Sequence, residues 1–166
     1  AIKEIALSFE YVSDLSAVSQ RAIKAFLLIG TKALQETGSF VVMLPGGRTA
    51  RTFYEAFAIY LGKDPSARIN ALFSKTHFIS LNTSLADGKT DTQIVTQPLI
   101  NLLVDQGVMN RSNIHFIEHQ SAEPLLLKAS HQQKHIEKLL RSLNKQKIDL
   151  ALIGIDEIGR WAGIQR

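Results

Sequence analysis

No cysteine occurs in the sequence, which excludes disulfides, thiolate metal sites and cysteine nucleophiles. Proline is scarce, at 4 in 166 residues, so few points force the chain out of regular structure. No segment approaches the ~18 consecutive apolar residues that a membrane-spanning helix needs. The N-terminal stretch AIKEIALSFEYVSD lacks a charged leader followed by an unbroken apolar core, so it does not read as a signal peptide. The expected location is therefore cytoplasmic, with no membrane partner. The two glycosylation-type triplets, at Asn82 and Asn110, are then chance matches. Long basic runs are also missing. The net charge of +4 comes from scattered Lys and Arg with no aromatic interleaving, so a nucleic-acid partner is not expected.

What is present is a globular composition, 45% hydrophobic and 20% charged, in a length that suits one domain. Strand and helix patterns alternate. Strands are predicted over residues 2–9, 39–45, 76–82, 113–118 and 147–155. Helices are predicted over residues 14–36, 49–61, 90–106 and 125–144. Asp14 is placed to cap the first helix and Gly38 to end it. On that helix Leu15, Val18, Ala22, Ala25, Phe26, Ile29 and Leu34 recur at helical spacing. Gly62 is expected to end the second helix, and Pro98 either begins the third or kinks it. The last strand is continuously apolar, which suits the middle of a parallel sheet. The expected fold class is α/β: a Rossmann-like three-layer α/β/α arrangement with a mainly parallel sheet, one domain over residues 1–166.

Ligands of such sheets bind beyond the carboxyl ends of the strands. Three loops therefore matter: residues 45–49, 82–91, and the chain from Gly154 onward. In the first, VVMLPGGRTARTFYEAF (residues 41–57), an apolar strand stops at Pro-Gly-Gly and a helix follows. Gly46 and Gly47 let the backbone approach a ligand. Thr49 is placed to cap the helix, and its hydroxyl, the free N–H groups of the first turn and the helix dipole would face an anion. Arg48 or Arg51 would add a charge-assisted contact. A tight strand-to-helix turn without a ligand has the same signature. Two other phosphate loops are absent. Gly88-Lys89-Thr90 would need glycine where Thr83 stands to complete a Walker A motif, and no G-x-G-x-x-G follows a strand, so no dinucleotide cofactor is expected.

Four segments together carry a resemblance. LPGGRTARTFYEAF is similar to the phosphate-binding loop L-x-G-G-S/R-T-P of the 6-phosphogluconolactonase and glucosamine-6-phosphate isomerase (deaminase) family. FSKTHFISLN resembles its next strand, NRSNIHFIE the one after, and KIDLALIGIDEIGRWAG the segment F-D-L-x-L-L-G-x-G-x-D-G-H-x-A. The resemblance implies a sugar-phosphate ligand and a place in carbohydrate metabolism, with phosphate held by Gly46, Gly47, Arg48 and Thr49. "PGGRT" leans toward the lactonase branch. It also implies where catalysis sits, and there the chain departs. Asn82-Thr83 replaces the family's Asp-Glu pair, and Ile158-Gly159-Arg160 replaces Asp-Gly-His. Ala50 replaces a Pro that only pre-organises the helix. Asn82 cannot ionise, Ile158 has no proton to give, and Arg160 stays protonated. The family's catalytic positions are thus Asn82 and Arg160, with Glu157 the nearest substitute base.

Asp156, Asp87 and Asp91 are lesser candidates. His77 and His115 read as strand residues. His131 and His135 lie four apart on a solvated helix face, without a further ligand to complete a metal site, so no metal is expected. Trp161 would either stack on a sugar or pack under its loop. The expected protein is a divergent lactonase- or isomerase-like hydrolase or deaminase with weakened, altered or absent catalysis. The alternatives are a sugar-phosphate-sensing effector domain of a transcriptional regulator, or a non-catalytic scaffold. The chain ends at Arg166, just past the fifth expected strand, while the family continues. The expectation is a domain incomplete at its C-terminus, whose exposed sheet edge would pair with another copy as a homo-oligomer.

Overall fold

The computed structural model describes residues 11, 14–63, 66–81, 85–86, 89–116 and 125–154. The expected first strand, residues 2–9, lies outside them. In chain order the elements are α1 (Leu15–Thr37), β1 (Phe40–Leu44), α2 (Arg48–Lys63), α3 (Ala67–Ser74), β2 (Thr76–Ser80), β3 (Leu85–Ala86), β4 (Lys89–Thr90), α4 (Asp91–Asp105), a 3-10 turn (Arg111–Asn113), β5 (Ile114–His115), α5 (Leu125–Ser142) and β6 (Leu150–Ala151). The strands β5-β2-β1-β6 form one sheet in that order, parallel at every pairing, and β3 pairs with β4 in a separate antiparallel ribbon. No described helix is long and apolar enough to cross a membrane.

The alternation of β1 builds the three layers. Phe40, Val42 and Leu44 face a large core shared with α1, α2, α3 and α4, while Val41 and Met43 face a smaller one closed by Leu139, Ile136 and Leu140 of α5. Phe26 is the hub of the larger core, with the rings of Phe40, Phe57 and Phe73 centred 4.9–5.8 Å away. Asp14 caps α1 by accepting from the Ala17 N–H at 2.8 Å, and Gly38 ends it in a left-handed conformation. The buried face of α1 is Ser19, Ile23, Phe26, Gly30 and Ala33. It is rotated from the stripe expected: Leu15 and Val18 are exposed. Gly30 explains the rotation. A Cβ there would stand 2.8 Å from the Phe40 ring and 2.9 Å from Leu72, so its absence lets α1 settle onto β1 along that line.

Several boundaries differ from expectation. α2 runs through Gly62 to Lys63, Pro98 lies inside α4, and α3 was not foreseen. The polar stretch after β2 contains the β3–β4 ribbon. β5 and β6 are two residues each, and among the described strands β6 pairs with β1 alone. Side chains replace part of the expected ladder at β6. Asp149 accepts from the Val41 N–H at 2.8 Å through its carboxylate and donates its own N–H to the Val41 carbonyl at 3.0 Å. Both carboxylate oxygens also meet the Lys145 ammonium at 2.8–2.9 Å, which in turn donates to Thr37 Oγ1. The Lys145 side chain is only 2% exposed, so this ion pair is an internal clamp joining α1, β1 and the start of β6.

Candidate functional site at the carboxyl end of the sheet

Strand order reverses between β1 and β6: the chain moves outward from β1 to β2 and β5, then returns to β1's other side. The carboxyl ends of those two strands form the crevice where this architecture binds ligands. β1 is held on both flanks up to its end. Its Leu44 carbonyl accepts from Leu81 N–H at 2.8 Å, and its Met43 carbonyl from Leu152 N–H at 3.0 Å. The turn that follows therefore leaves from a fixed point.

That turn is Pro45-Gly46-Gly47. Gly47 has φ 88°, a left-handed value that a Cβ would strain, and a Cβ built there meets nothing within 4 Å. The glycine is needed for backbone geometry, and no described atom fills the space beside it. α2 begins at Arg48. Thr49 consequently falls inside the first turn and Gly47 precedes the helix, which corrects the expectation that Thr49 caps it. Gly47, in a left-handed conformation, turns the chain directly into α2 one residue earlier than expected. Arg48 and Thr49 are placed here by their backbone. No acidic residue occupies the first turn of α2, so the partial positive charge of that terminus is not offset from within the helix.

Tyr54, two turns along α2, secures the turn from below. It is fully buried, and its hydroxyl donates to the Pro45 carbonyl at 2.7 Å. Burial pushes the Tyr54 phenol well above its usual range, so the hydroxyl remains a donor at every working pH. The ring packs edge-on against Phe53, centres 5.3 Å apart. A helix terminus that follows a glycine turn on a rigid base is an arrangement that can seat an anion.

Of the expected site residues, the structure brings Gly46, Gly47, Arg48 and Thr49 together at the end of β1. Asn82, Glu157 and Arg160 lie outside the described residues, as do Asp87, Asp156 and Trp161. Leu81, which bonds to β1, directly precedes Asn82 in the chain.

A second polar group was not foreseen. His77 Nδ1 lies 3.1 Å from His115 Nε2, and His115 Nδ1 lies 3.0 Å from His135 Nε2. His77 pairs with Val41, and His115 with Ile79, so both strand histidines share the sheet face that α5 covers. Burial, then the Lys145 charge, lowers the His77 pKa. Burial, then His77 and His135, pushes His115 down to about 4. His135, expected on a solvated face, is indeed exposed, yet it turns to a strand histidine. Among the described residues no group of three or more His, Cys, Asp or Glu is arranged to hold a metal ion. The sequence signal was faint: three histidines 38 and 20 residues apart.

Comparison with known proteins fits this geometry. The family described as glucosamine-6-phosphate isomerases/6-phosphogluconolactonase matches residues 13–159. No curated protein matches the chain significantly. Among solved structures, a 6-phosphogluconolactonase from Thermotoga maritima is similar at 18% identity and TM-score 0.61, over 88% of this chain and 59% of that one. A 6-phosphogluconolactonase from Plasmodium vivax is similar at 18% identity and TM-score 0.62, over 90% and 48%. A monomeric glucosamine-6-phosphate deaminase is similar at 15% identity and TM-score 0.57, over 91% and 56%. The chain thus spans roughly half to three-fifths of the length of these structures, and at such identities the likeness concerns the fold. With the family match covering most of its length, the chain belongs to the glucosamine-6-phosphate isomerase/6-phosphogluconolactonase family.

Proposed function

We propose that the chain binds a sugar phosphate, a hexose 6-phosphate or 6-phosphogluconate, by its phosphate group, and that the proton-transfer chemistry of its family is weakened or lost. One observation carries the binding half: the Pro45-Gly46-Gly47 turn, pinned by Tyr54, opens directly into a 16-residue helix with no acidic residue in its first turn. In this reading the N–H groups of the first turn of α2 donate to phosphate oxygens, with Arg48 and Thr49 completing the seat. The catalytic half rests on residue chemistry. Asn82, Ile158 and Arg160 stand where the family resemblance places proton-transferring groups, and none of them can exchange a proton near neutral pH. A general base contributes roughly two to four orders of magnitude, so lactone hydrolysis and deamination should both run far below ordinary enzymatic rates. Glu157 is the first candidate among the carboxylates for a substitute base. Arg160 would favour an acid head group, binding the carboxylate of 6-phosphogluconate in a bidentate manner.

Calorimetry tests the reading directly. The phosphorylated ligand should bind and the unphosphorylated sugar should not, while Arg48→Ala and Thr49→Val each weaken the phosphate form. Equal binding of both ligands, or of neither, refutes the seat. Arg160→Gln should erase the preference for the acid head group and leave the phosphate requirement intact. Turnover of either substrate at ordinary rates by the unaltered protein refutes the catalytic half, and Glu157→Gln then identifies the base.

A further inference from the structure

We propose that His77, His115 and His135 act as one acid-sensitive clamp, a hydrogen-bonded imidazole chain that takes up a single proton without losing a contact and parts when a second arrives. The chain runs from a half-buried strand position through the β5 strand to the exposed surface of α5. The geometry is that of hydrogen bonds. The ring centres are 5.4 and 5.2 Å apart against N···N contacts of 3.1 and 3.0 Å. Each excess equals about two ring radii, so each contact lies close to the line joining the ring centres. In a metal chelate the lone pairs would converge on a third point instead.

Counting donors gives the behaviour. A neutral imidazole has one N–H and one acceptor nitrogen. Three neutral rings satisfy both contacts in either of two senses, all N–H groups pointing toward α5 or all toward β2. One added proton preserves both contacts wherever it resides. On His77 it donates outward through the chain, on His135 inward, and on His115 it donates both ways. Two protons are different. Any neutral partition of the remaining N–H groups puts one N–H against another, and one contact must open. The surroundings reinforce that limit. Lys145, paired with Asp149, lies on the inner side and disfavours charge on His77. On α5 the residues around His135 are His131, Lys134 and Lys138, so the helix adds positive rather than negative charge. The depressed His115 pKa, about 4, agrees with a ring that resists charging beside two others.

The clamp joins α5 to the β2–β5 edge, and Gln132 adds one bond from its side-chain amide to the His115 carbonyl at 3.4 Å. Loss of the His115–His135 contact therefore loosens α5 at its middle.

The test follows ring-nitrogen NMR of histidine-labelled protein from pH 8 to pH 4. His77, His115 and His135 should show one shared midpoint that accounts for one proton among them. Toward pH 4 the amides of α5 should exchange faster while those of α1 do not. His115→Phe should split the response into separate His77 and His135 titrations. If that variant does not fold, His135→Ala, at an exposed position, should move the midpoint of His77 and His115 and abolish the acid-induced exchange of α5. Three independent midpoints in the unaltered protein overturn the proposal, as does an unchanged titration of His77 and His115 in His135→Ala.

Discussion

Replacing Tyr54 with Phe separates the turn proposed to seat phosphate from the core beneath it. The ring stays, with its contacts to Phe53, and only the hydroxyl is removed. That hydroxyl is buried and makes a 2.7 Å bond to the Pro45 carbonyl, itself in a buried residue. Deleting the donor leaves the carbonyl unsatisfied, at a cost of about 1–3 kcal/mol. In a chain of this size each kcal/mol moves the midpoint by about 2–4 °C, so thermal unfolding should fall by roughly 2–12 °C. Binding should suffer separately. The turn loses the bond that holds it in place before ligand arrives, and affinity for a hexose 6-phosphate should drop up to about tenfold. Calorimetry at a temperature where both proteins are folded isolates that loss. Phe53→Leu is the control, since it loosens the same packing without touching the turn. The reasoning fails if Tyr54→Phe melts and binds like the unaltered protein, or if Phe53→Leu weakens binding equally.

Asp149→Ala should cost about 3–5 kcal/mol in urea unfolding, because it strands the buried Lys145 charge and frees the Val41 N–H; Lys145→Met should cost distinctly less. Gly47→Ala should destabilise by about 1–2 kcal/mol through backbone strain alone, since its Cβ meets open space, and X-ray analysis should show no displaced neighbours. Stability should also depend on pH through His115, whose folded-state pKa of about 4 lies below its ordinary 6.5. The unfolded chain then binds more protons between those values, so stability is complete above about pH 6.5, declines as pH falls toward 4 and levels below it. After solvent screening of a half-buried ring, that window is worth about 1–2 kcal/mol. Urea midpoints measured across it should flatten in His115→Phe.

The sequence by itself determined the layered α/β plan, the caps of α1, the strands β1 and β2 and the place of the Pro-Gly-Gly turn, because each rests on local chemistry. Asp14 needs only the N–H three residues on, and a continuously apolar run flanked by turn residues needs only its own length to read as a strand. Tertiary structure decided everything that depends on which side a residue faces. The run FVVML does not say that Phe40, Val42 and Leu44 join one core and Val41 and Met43 another. α1 carries apolar residues around most of its circumference, and its buried face was chosen by the close approach of Gly30 to Phe40 and Leu72 rather than by the stripe with the most hydrophobic side chains. Residues 147–155 are apolar enough for a long strand, yet among the described residues the regular strand is Leu150–Ala151, and Asp149 before it meets Val41 N–H and Lys145 through its carboxylate. Thr49 lost the capping position because Gly47, left-handed, lets α2 begin at Arg48. The Pro-Gly-Gly turn itself could be located from sequence, but the hydroxyl that secures it comes from Tyr54, nine residues past the Pro45 carbonyl it holds. The histidine chain lay furthest from view: its members are separated by 38 and 20 residues, and only the parallel register of β2 and β5, with α5 laid across them, brings their ring nitrogens within hydrogen-bonding distance.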